Sequence, residues 1–275
     1  MFKSHPKMEA RKTLIEVHMP PLYRASFEDL KREIAERANA VQKGLGNDTV
    51  ILFAENSLKY GFDFPLTEAQ LQAQCIKEML PQHPWIAVMY NAMVEDEGKP
   101  MNMGFLVTSD YGVKGQAKRG FSQNDWGEYH ARNRRDSFKD VSKSWEKSFG
   151  TMASYGIPYL RAISRSGASL EYRICCDVEN APIKNEPDAV TFVSSCGLEL
   201  RQLSGIWGGV LGIRGGILSK RAGVVVHDED TMGLRGLYVK RYKEKKTAYW
   251  EMETGHDIPF VWRYAVPICA GMGER

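Results

Sequence analysis

Apolar runs alternate with amphipathic stretches along the first part of the chain. Residues 12–20, KTLIEVHMP, predict a strand that ends at the prolines. In residues 26–46 the apolar side chains recur at helical spacing behind Ser26, which predicts a helix with Ser26 as its N-cap. The β-branched run DTVILF, 48–53, indicates a buried strand. Residues 66–80 predict a second amphipathic helix, capped by Thr67.

Two further apolar runs, 85–94 and 101–109, flank the polar segment EDEGKP, which predicts a hairpin. The order is then strand, helix, strand, helix, strand, strand. This order is typical of a mixed sheet with helices packed on it.

The second half of the chain is rich in predicted strands. ASLEYRIC and DAVTFVSS form two of them, at 168–175 and 188–195, and the region after Ala222 adds GVVVH, GLYVKRY, TAYWEME and PFVWRYAV. Between the halves, the segment at about 119–150 is highly charged, which favours a surface excursion or lid. Because we find no repeat, low-complexity tract or clear linker, the sequence predicts a single domain over residues 1–275.

Composition adds constraints on compartment and partner. The chain has 275 residues, 43% of them hydrophobic, and a net charge of only +3, which does not suggest nucleic acid or membrane as a partner. The cysteines are odd in number, include an adjacent pair and form no C-x-x-C, which argues against a disulfide framework and a zinc site. The N-terminus lacks the apolar core of a secretory signal, and no run reaches the about 18 apolar residues of a membrane helix. We therefore expect a cytoplasmic protein, with export by a route without a cleaved signal left open.

Three chemically useful side chains follow predicted strands. Glu55 comes after the strand 48–53, Lys118 after the hairpin, and Cys175 ends the strand 168–175. A nucleophilic thiol needs a base that takes its proton and a donor that stabilises the oxyanion, and these residue types could supply both. Each also has an ordinary explanation, since strand ends are solvated, lysines are common on surfaces, and cysteine is a small core residue.

Taken together, these positions resemble the nitrilase superfamily, the carbon–nitrogen hydrolases. ILFAENSLKYGF places Glu55 as in the family glutamate motif, and KGQAKRG places Lys118 as in its lysine motif. ICCD matches the family's nucleophile motif, with Cys175 as the nucleophile and Asp177 as the acid that follows. The resemblance covers roughly residues 12–200.

The sequence also departs from the family pattern. Ala54 stands where the family usually has proline, and VENAPIKNEP replaces the usual helix start after the cysteine. From about residue 197 the chain is rich in glycine and diverges from the family helix. The resemblance therefore implies a divergent member.

The resemblance implies an α/β fold, a nitrilase-like α-β-β-α sandwich with mixed sheets, commonly joined into a homodimer or higher homo-oligomer. It implies hydrolysis of a small amide, carbamoyl compound or nitrile through a thioester on Cys175. Glu55 would be the base, while Lys118 and the backbone N–H of Cys176 would hold the oxyanion. Glu128 is the candidate for a second glutamate that many members carry. No metal or organic cofactor is implied.

Three alternatives stay open at this point. The same triad could pass the acyl group to an amine, which would make the protein an acyltransferase. The fold could instead be an inactive scaffold that binds a protein partner through the charged segment and the basic tail. GIRGG, GLRG and YVKRYKEKK, between 212 and 246, could contact nucleic acid, although turn glycines explain such short motifs and we do not expect this partner.

Overall fold

The structure is a computed structural model of the chain. It describes residues 11–43, 48–55, 57–58, 64–82, 84–96, 99–110, 112–118, 160–175, 177, 190–195, 223–228, 236–242, 248–254 and 260–268.

These residues form two helices and twelve strands. The helices are α1 (Phe27–Lys43) and α2 (Leu66–Met79). The strands of the first half are β1 (Arg11–Met19), β2 (Asp48–Leu52), β3 (Ile86–Asp96), β4 (Lys99–Thr108) and β5 (Gly112–Ala117). Those of the second half are β6 (Leu160–Ile163), β7 (Ser169–Ile174), β8 (Val190–Ser195), β9 (Gly223–Asp228), β10 (Gly236–Tyr242), β11 (Ala248–Thr254) and β12 (Phe260–Ile268).

Ten of the strands form two mixed sheets. The first sheet has the order β12-β1-β2-β3-β4-β5, in which β1, β2 and β3 are parallel and every other pair is antiparallel. The second sheet has the order β6-β7-β8-β9, in which β7, β8 and β9 are parallel. The remaining strands, β10 and β11, form an antiparallel hairpin.

The two sheets pack face to face around an apolar core. This core contains alternate residues of β1, β2 and β3 from one sheet and of β6 to β9 from the other. The opposite face of the first sheet packs against α1 and α2 around a second core. The predicted α/β sandwich with mixed sheets is therefore confirmed, while the predicted outer helices of the second sheet lie outside the described residues. Among the described helices, none is both long and apolar enough to cross a membrane.

The helix starts illustrate one correct and one wrong prediction. Ser26 caps α1 as predicted, because its Oγ accepts the backbone N–H of Asp29 at 3.1 Å. The Asp29 carboxylate accepts the backbone N–H of Ser26 in return, which completes a reciprocal capping box. Thr67 does not cap α2. The cap position is Pro65, which makes no side-chain capping bond, and Thr67 lies inside the first turn.

The strand β5 does not follow from the sequence pattern. The sequence predicts no strand between the hairpin and the charged segment at about 119–150, but Gly112–Ala117 forms the edge strand β5. Its middle residues, Lys114 and Gly115, are exposed, so the strand lacks an apolar signature. The direction of β5 matters for function, because two antiparallel steps from β3 make it run parallel to β2. The carboxyl ends of β2 and β5 therefore lie at the same edge of the sheet.

Candidate active site

A buried ion pair lies where β2 and β5 end. Glu55 follows β2 and Lys118 follows β5 directly, and Lys118 Nζ donates to Glu55 Oε1 at 2.7 Å. The side chains are 0% exposed for Lys118 and 1% exposed for Glu55. The structure thus brings together two of the three predicted catalytic side chains. At this depth solvent screens the pair much less than it would at the surface.

Two asparagines hold the carboxylate of this pair. Asn102 Nδ2 donates to Glu55 Oε1 at 2.9 Å, and Asn91 Nδ2 donates to Asn102 Oδ1 at 2.8 Å. The backbone N–H of Lys118 also donates to the backbone carbonyl of Asn102 at 2.7 Å. One carboxylate oxygen therefore accepts both an ammonium and an amide proton, and the amide is oriented by its own partner. This network fixes where the Glu55 carboxylate points.

Cys175 lies at the end of β7 in a left-handed backbone conformation, with φ of 43°. Such a conformation costs a residue other than glycine about 1–3 kcal/mol and persists where the surroundings impose it. Its backbone N–H donates to the Ser194 carbonyl of β8 at 2.8 Å, and the side chain is buried. Ser195 Oγ, also buried, donates to Cys175 Sγ at 3.9 Å. Two contacts with the end of β8 therefore hold the backbone and the thiol of Cys175.

Ser195 connects the cysteine to the glutamate. Its hydroxyl contacts Cys175 Sγ, and its backbone carbonyl accepts the N–H of Glu55 at 3.3 Å. The end of β2 is held from the second sheet at two more points. Ser194 Oγ donates to the Phe53 carbonyl at 2.5 Å, and His227 Nδ1 lies 2.8 Å from the carbonyl oxygen of Leu52. The ends of β2, β7 and β8 thus meet, and they carry Glu55 and Cys175 to the same edge of the sandwich.

Tyr172 is buried beneath this edge and stays neutral. Burial raises the pKa of its hydroxyl far above the usual value, and the negative charges of Glu55 and Asp177 raise it further. The Tyr172 hydroxyl lies 2.8 Å from Ser194 Oγ. Tyr172 therefore remains protonated at neutral pH and can donate a hydrogen bond.

The sheets approach each other closely beside the site. A Cβ atom at Gly104 of β4 would lie 2.9 Å from Ile174 Cδ1 and 3.1 Å from Tyr172 Cε1, closer than carbon atoms pack. A small cleft next to this contact is lined in part by Gly104, Gln116, Tyr172 and Asp177. The glycine therefore lets β7, which carries the cysteine, pack against β4.

Other predicted residues lie elsewhere or outside the described part of the chain. Cys176, the proposed oxyanion donor, and Glu128, the candidate second glutamate, are outside it. Lys114, the other lysine in the KGQAKRG segment, is exposed on β5 and donates to the Arg161 carbonyl at 2.7 Å. Lys114 therefore belongs to a contact between the edges of the two sheets.

Sequence reasoning missed the residues that support the site. Asn91 and Asn102 are almost completely buried, as are Ser194 and Ser195. The sequence did contain a sign of the two asparagines. Each lies in an apolar strand, on the face whose other side chains point into the core between the sheets. A buried amide needs a partner, so these positions indicated a polar network.

Known proteins resemble this chain in structure but not in sequence. No family model matches the sequence, and no curated protein matches it. Solved structures do match. An amidase from Nesterenkonia sp. is 12% identical and superposes with a TM-score of 0.53 over 96% of this chain and 94% of that chain. A CN-hydrolase superfamily protein from Xanthomonas campestris is 13% identical, with a TM-score of 0.50 over 93% and 91%.

The protein has the carbon–nitrogen hydrolase fold. The resemblance inferred from the Glu55, Lys118 and Cys175 motifs is thereby confirmed at the level of the fold, for a divergent chain. A variant of the Nesterenkonia sp. amidase, 11% identical, also superposes on it, with a TM-score of 0.52 over 96% of this chain and 94% of that chain. That structure carries the acetamide moiety of fluoroacetamide attached covalently to its active-site cysteine.

Proposed function

We propose that the protein hydrolyses a non-peptide C–N bond, with Cys175 as the nucleophile and Glu55 and Lys118 as its partners. The substrate would be a small amide, carbamoyl compound or nitrile. The buried bond between Lys118 and Glu55 is the observation that carries this proposal. Burying two charges costs several kcal/mol per ion before their attraction offsets it, so apolar side chains would stabilise the fold at least as well. A charge pair kept at the edge of the sandwich where the strand that carries Cys175 also ends is better explained by a catalytic role than by stability.

The first half of the proposed reaction forms the thioester. With an amide or carbamoyl substrate, Glu55 accepts the proton of the Cys175 thiol, and the sulfur attacks the carbonyl carbon while the C=O electron pair moves to oxygen. A nitrile would first add the thiol across its triple bond to give a thioimidate, which takes up one water to reach the same tetrahedral intermediate. An ammonium has three N–H donors, so Lys118 can bond to Glu55 and still reach the oxyanion. The backbone N–H of Cys176 would be the second donor. One such donor typically contributes about 3–4 kcal/mol to the transition state.

The second half releases the products. The tetrahedral intermediate collapses, the C–N bond breaks, and the amine leaves with the proton that Glu55 returns. Water then attacks the thioester and gives a proton to Glu55, the C–S bond breaks, and the acid leaves as the thiol recovers its proton. Asn102 supports both halves because it holds the carboxylate oxygen while its charge changes. Glu128 stays a candidate for an additional acid–base group.

The test is an assay of ammonia release from a panel of amides, ureas, carbamoyl compounds and nitriles. We expect the wild type to hydrolyse at least one class and Cys175→Ala and Glu55→Gln to hydrolyse none. Cys75→Ala is the matched control, because Cys75 is a free thiol on α2 and should be dispensable. If the wild type is inactive on the whole panel and has no thiol that reacts faster than Cys75, the protein is a scaffold and not an enzyme.

A further inference from the structure

A second buried charge pair lies on the outer face of β7. Leu170, Tyr172 and Ile174 face the core between the sheets, so alternation places Glu171 and Arg173 on the opposite face. Their exposed fractions are 0% and 2%, and Arg173 Nε donates to Glu171 Oε1. The mechanism proposed above does not use this pair.

Arg173 reaches from its pair across the turn that holds the cysteine. Its Nη1 donates to the backbone carbonyl of Asp177 at 3.2 Å. Asp177 is itself buried and lies two positions after Cys175. On the other side of the turn, the Cys175 N–H is bonded to the Ser194 carbonyl. The turn is therefore held at both ends, by Arg173 on its own strand and by β8.

The left-handed conformation of Cys175 explains why such a restraint is needed. With φ of 43°, this residue would relax toward an ordinary conformation if the turn were released. Relaxation would move the thiol and the peptide that follows it, which contains the proposed oxyanion donor. Arginine suits the restraint because its planar group presents donors in several fixed directions. One donor can engage the Glu171 carboxylate while another engages the Asp177 carbonyl.

We propose that Arg173, oriented by Glu171, is a positioning residue that fixes the turn carrying the nucleophile. This inference rests on the proposed function of Cys175. It assigns Arg173 no contact with the substrate. Its removal should lower turnover and thiol reactivity while substrate binding changes little.

The experiment replaces the whole pair, with the double variant Glu171→Met/Arg173→Met. Exchanging a buried ion pair for apolar side chains of similar size is often neutral for stability, whereas removing one partner is not. The variant loses the bond to the Asp177 carbonyl. We expect a folded protein whose kcat is about 100-fold lower, a loss typical of a misplaced reacting group, with KM within a few-fold of the wild type. Alkylation of Cys175 by iodoacetamide should slow in parallel.

Arg161→Gln is the matched control. Arg161 is 29% exposed and its Nη2 lies 3.9 Å from Glu171 Oε2, so it approaches the same carboxylate from the neighbouring strand β6. This variant should keep the kcat and alkylation rate of the wild type. If the double variant does not fold, Arg173→Lys takes its place. A lysine cannot bond to the Glu171 carboxylate and the Asp177 carbonyl in the same geometry as the arginine.

The outcomes separate the two proposals. A wild type in which Cys175 is neither required for turnover nor preferentially alkylated overturns the proposed function, and this inference with it. A reactive wild type whose folded double variant, or Arg173→Lys in its place, keeps full kcat and alkylation rate overturns the positioning role alone. A loss confined to KM would also overturn it, because Arg173 would then act on substrate binding.

Discussion

Ser194 on the second sheet donates a hydrogen bond to the backbone carbonyl of Phe53 on the first, with an oxygen–oxygen distance of 2.5 Å. A serine hydroxyl has one proton, so the 2.8 Å bond between Ser194 and Tyr172 must be donated by Tyr172. Glu55 lies only two residues beyond Phe53. The donor chain from Tyr172 through Ser194 therefore joins the sheets directly beneath the candidate site.

Ser194→Ala should destabilise the protein by about 1–3 kcal/mol, because it leaves the Phe53 carbonyl and the Tyr172 hydroxyl buried without this partner. The free energy of unfolding in urea measures the loss. Thr191→Val is the control, since the Thr191 hydroxyl is buried on the same strand without a partner among the described residues. Equal losses in the two variants would show that the bridge contributes no stability of its own.

Alkaline pH should weaken the protein through Tyr172. Burial raises the pKa of Tyr172 in the folded state above the usual 10.0. Above that pH the unfolded chain therefore loses this proton more readily than the folded chain. The contribution of protonated Tyr172 to the free energy of unfolding is fully present below about pH 10 and is lost as the pH rises further. Tyr172→Phe should show a shallower fall of unfolding free energy above pH 10, while Tyr23→Phe, which alters a ring that is 55% exposed, should match the wild type.

Lys118→Arg should lower turnover by about 10²–10³-fold, the effect of losing one oxyanion donor, while the fold survives. The substitution keeps the charge but replaces a compact ammonium with a larger planar group. Steady-state kinetics on any active substrate measure this, and Lys114→Arg provides the same exchange at an exposed position. Near-normal kcat with a raised KM would instead assign Lys118 to substrate binding.

Cys175→Ala should abolish activity and Cys175→Ser should nearly abolish it, whereas Cys176→Ala should keep most of it. The I-C-x-D pattern fits Cys175 as the nucleophile. The oxyanion donor proposed at position 176 is a backbone N–H, which does not depend on the cysteine side chain there. Mass spectrometry after alkylation at neutral pH should find a single modified site at Cys175. A dead Cys176→Ala together with an active Cys175→Ala would mean that the nucleophile is one residue further along.

Gly104→Ala should destabilise the sandwich by about 1–3 kcal/mol and impair turnover, because the new methyl group meets Ile174 and the Tyr172 ring. Gly115→Ala is the matched control on the neighbouring strand, where the nearest atom to an added Cβ is 3.5 Å away, an ordinary contact. Thermal unfolding distinguishes the two. Equal unfolding temperatures in the two variants would show that β4 and β7 can move apart without any loss of stability.

Central strands could be predicted from the sequence because both of their faces are buried. β2 and β8 are buried at every position, so they appear as apolar or β-branched runs. β5 could not be predicted, since it lies at the edge of its sheet and exposes its middle residues. β6 has only four residues, too few for a period to show.

The candidate site was predictable only in part. Glu55, Lys118 and Cys175 were found because they resemble a family pattern, and their roles stay predictions. Asn102 could have been found as a buried amide in an apolar strand. Arg173 could not, because a basic residue in a strand normally indicates an exposed face and its Glu171 partner is visible only in three dimensions.

The pairing of β12 with β1 delays completion of the first sheet until the ribosome has synthesised the chain as far as residue 268. Arg11 lies opposite Ile268, a separation of 257 residues (268 − 11). At the usual rate of translation, β1 would wait on the order of 10–50 seconds for its partner. Its outer edge meanwhile offers unpaired N–H and C=O groups to any other strand. A ribosome that stalls before residue 260 would therefore release a chain prone to aggregate, even though β2 to β5 and both described helices had already been made.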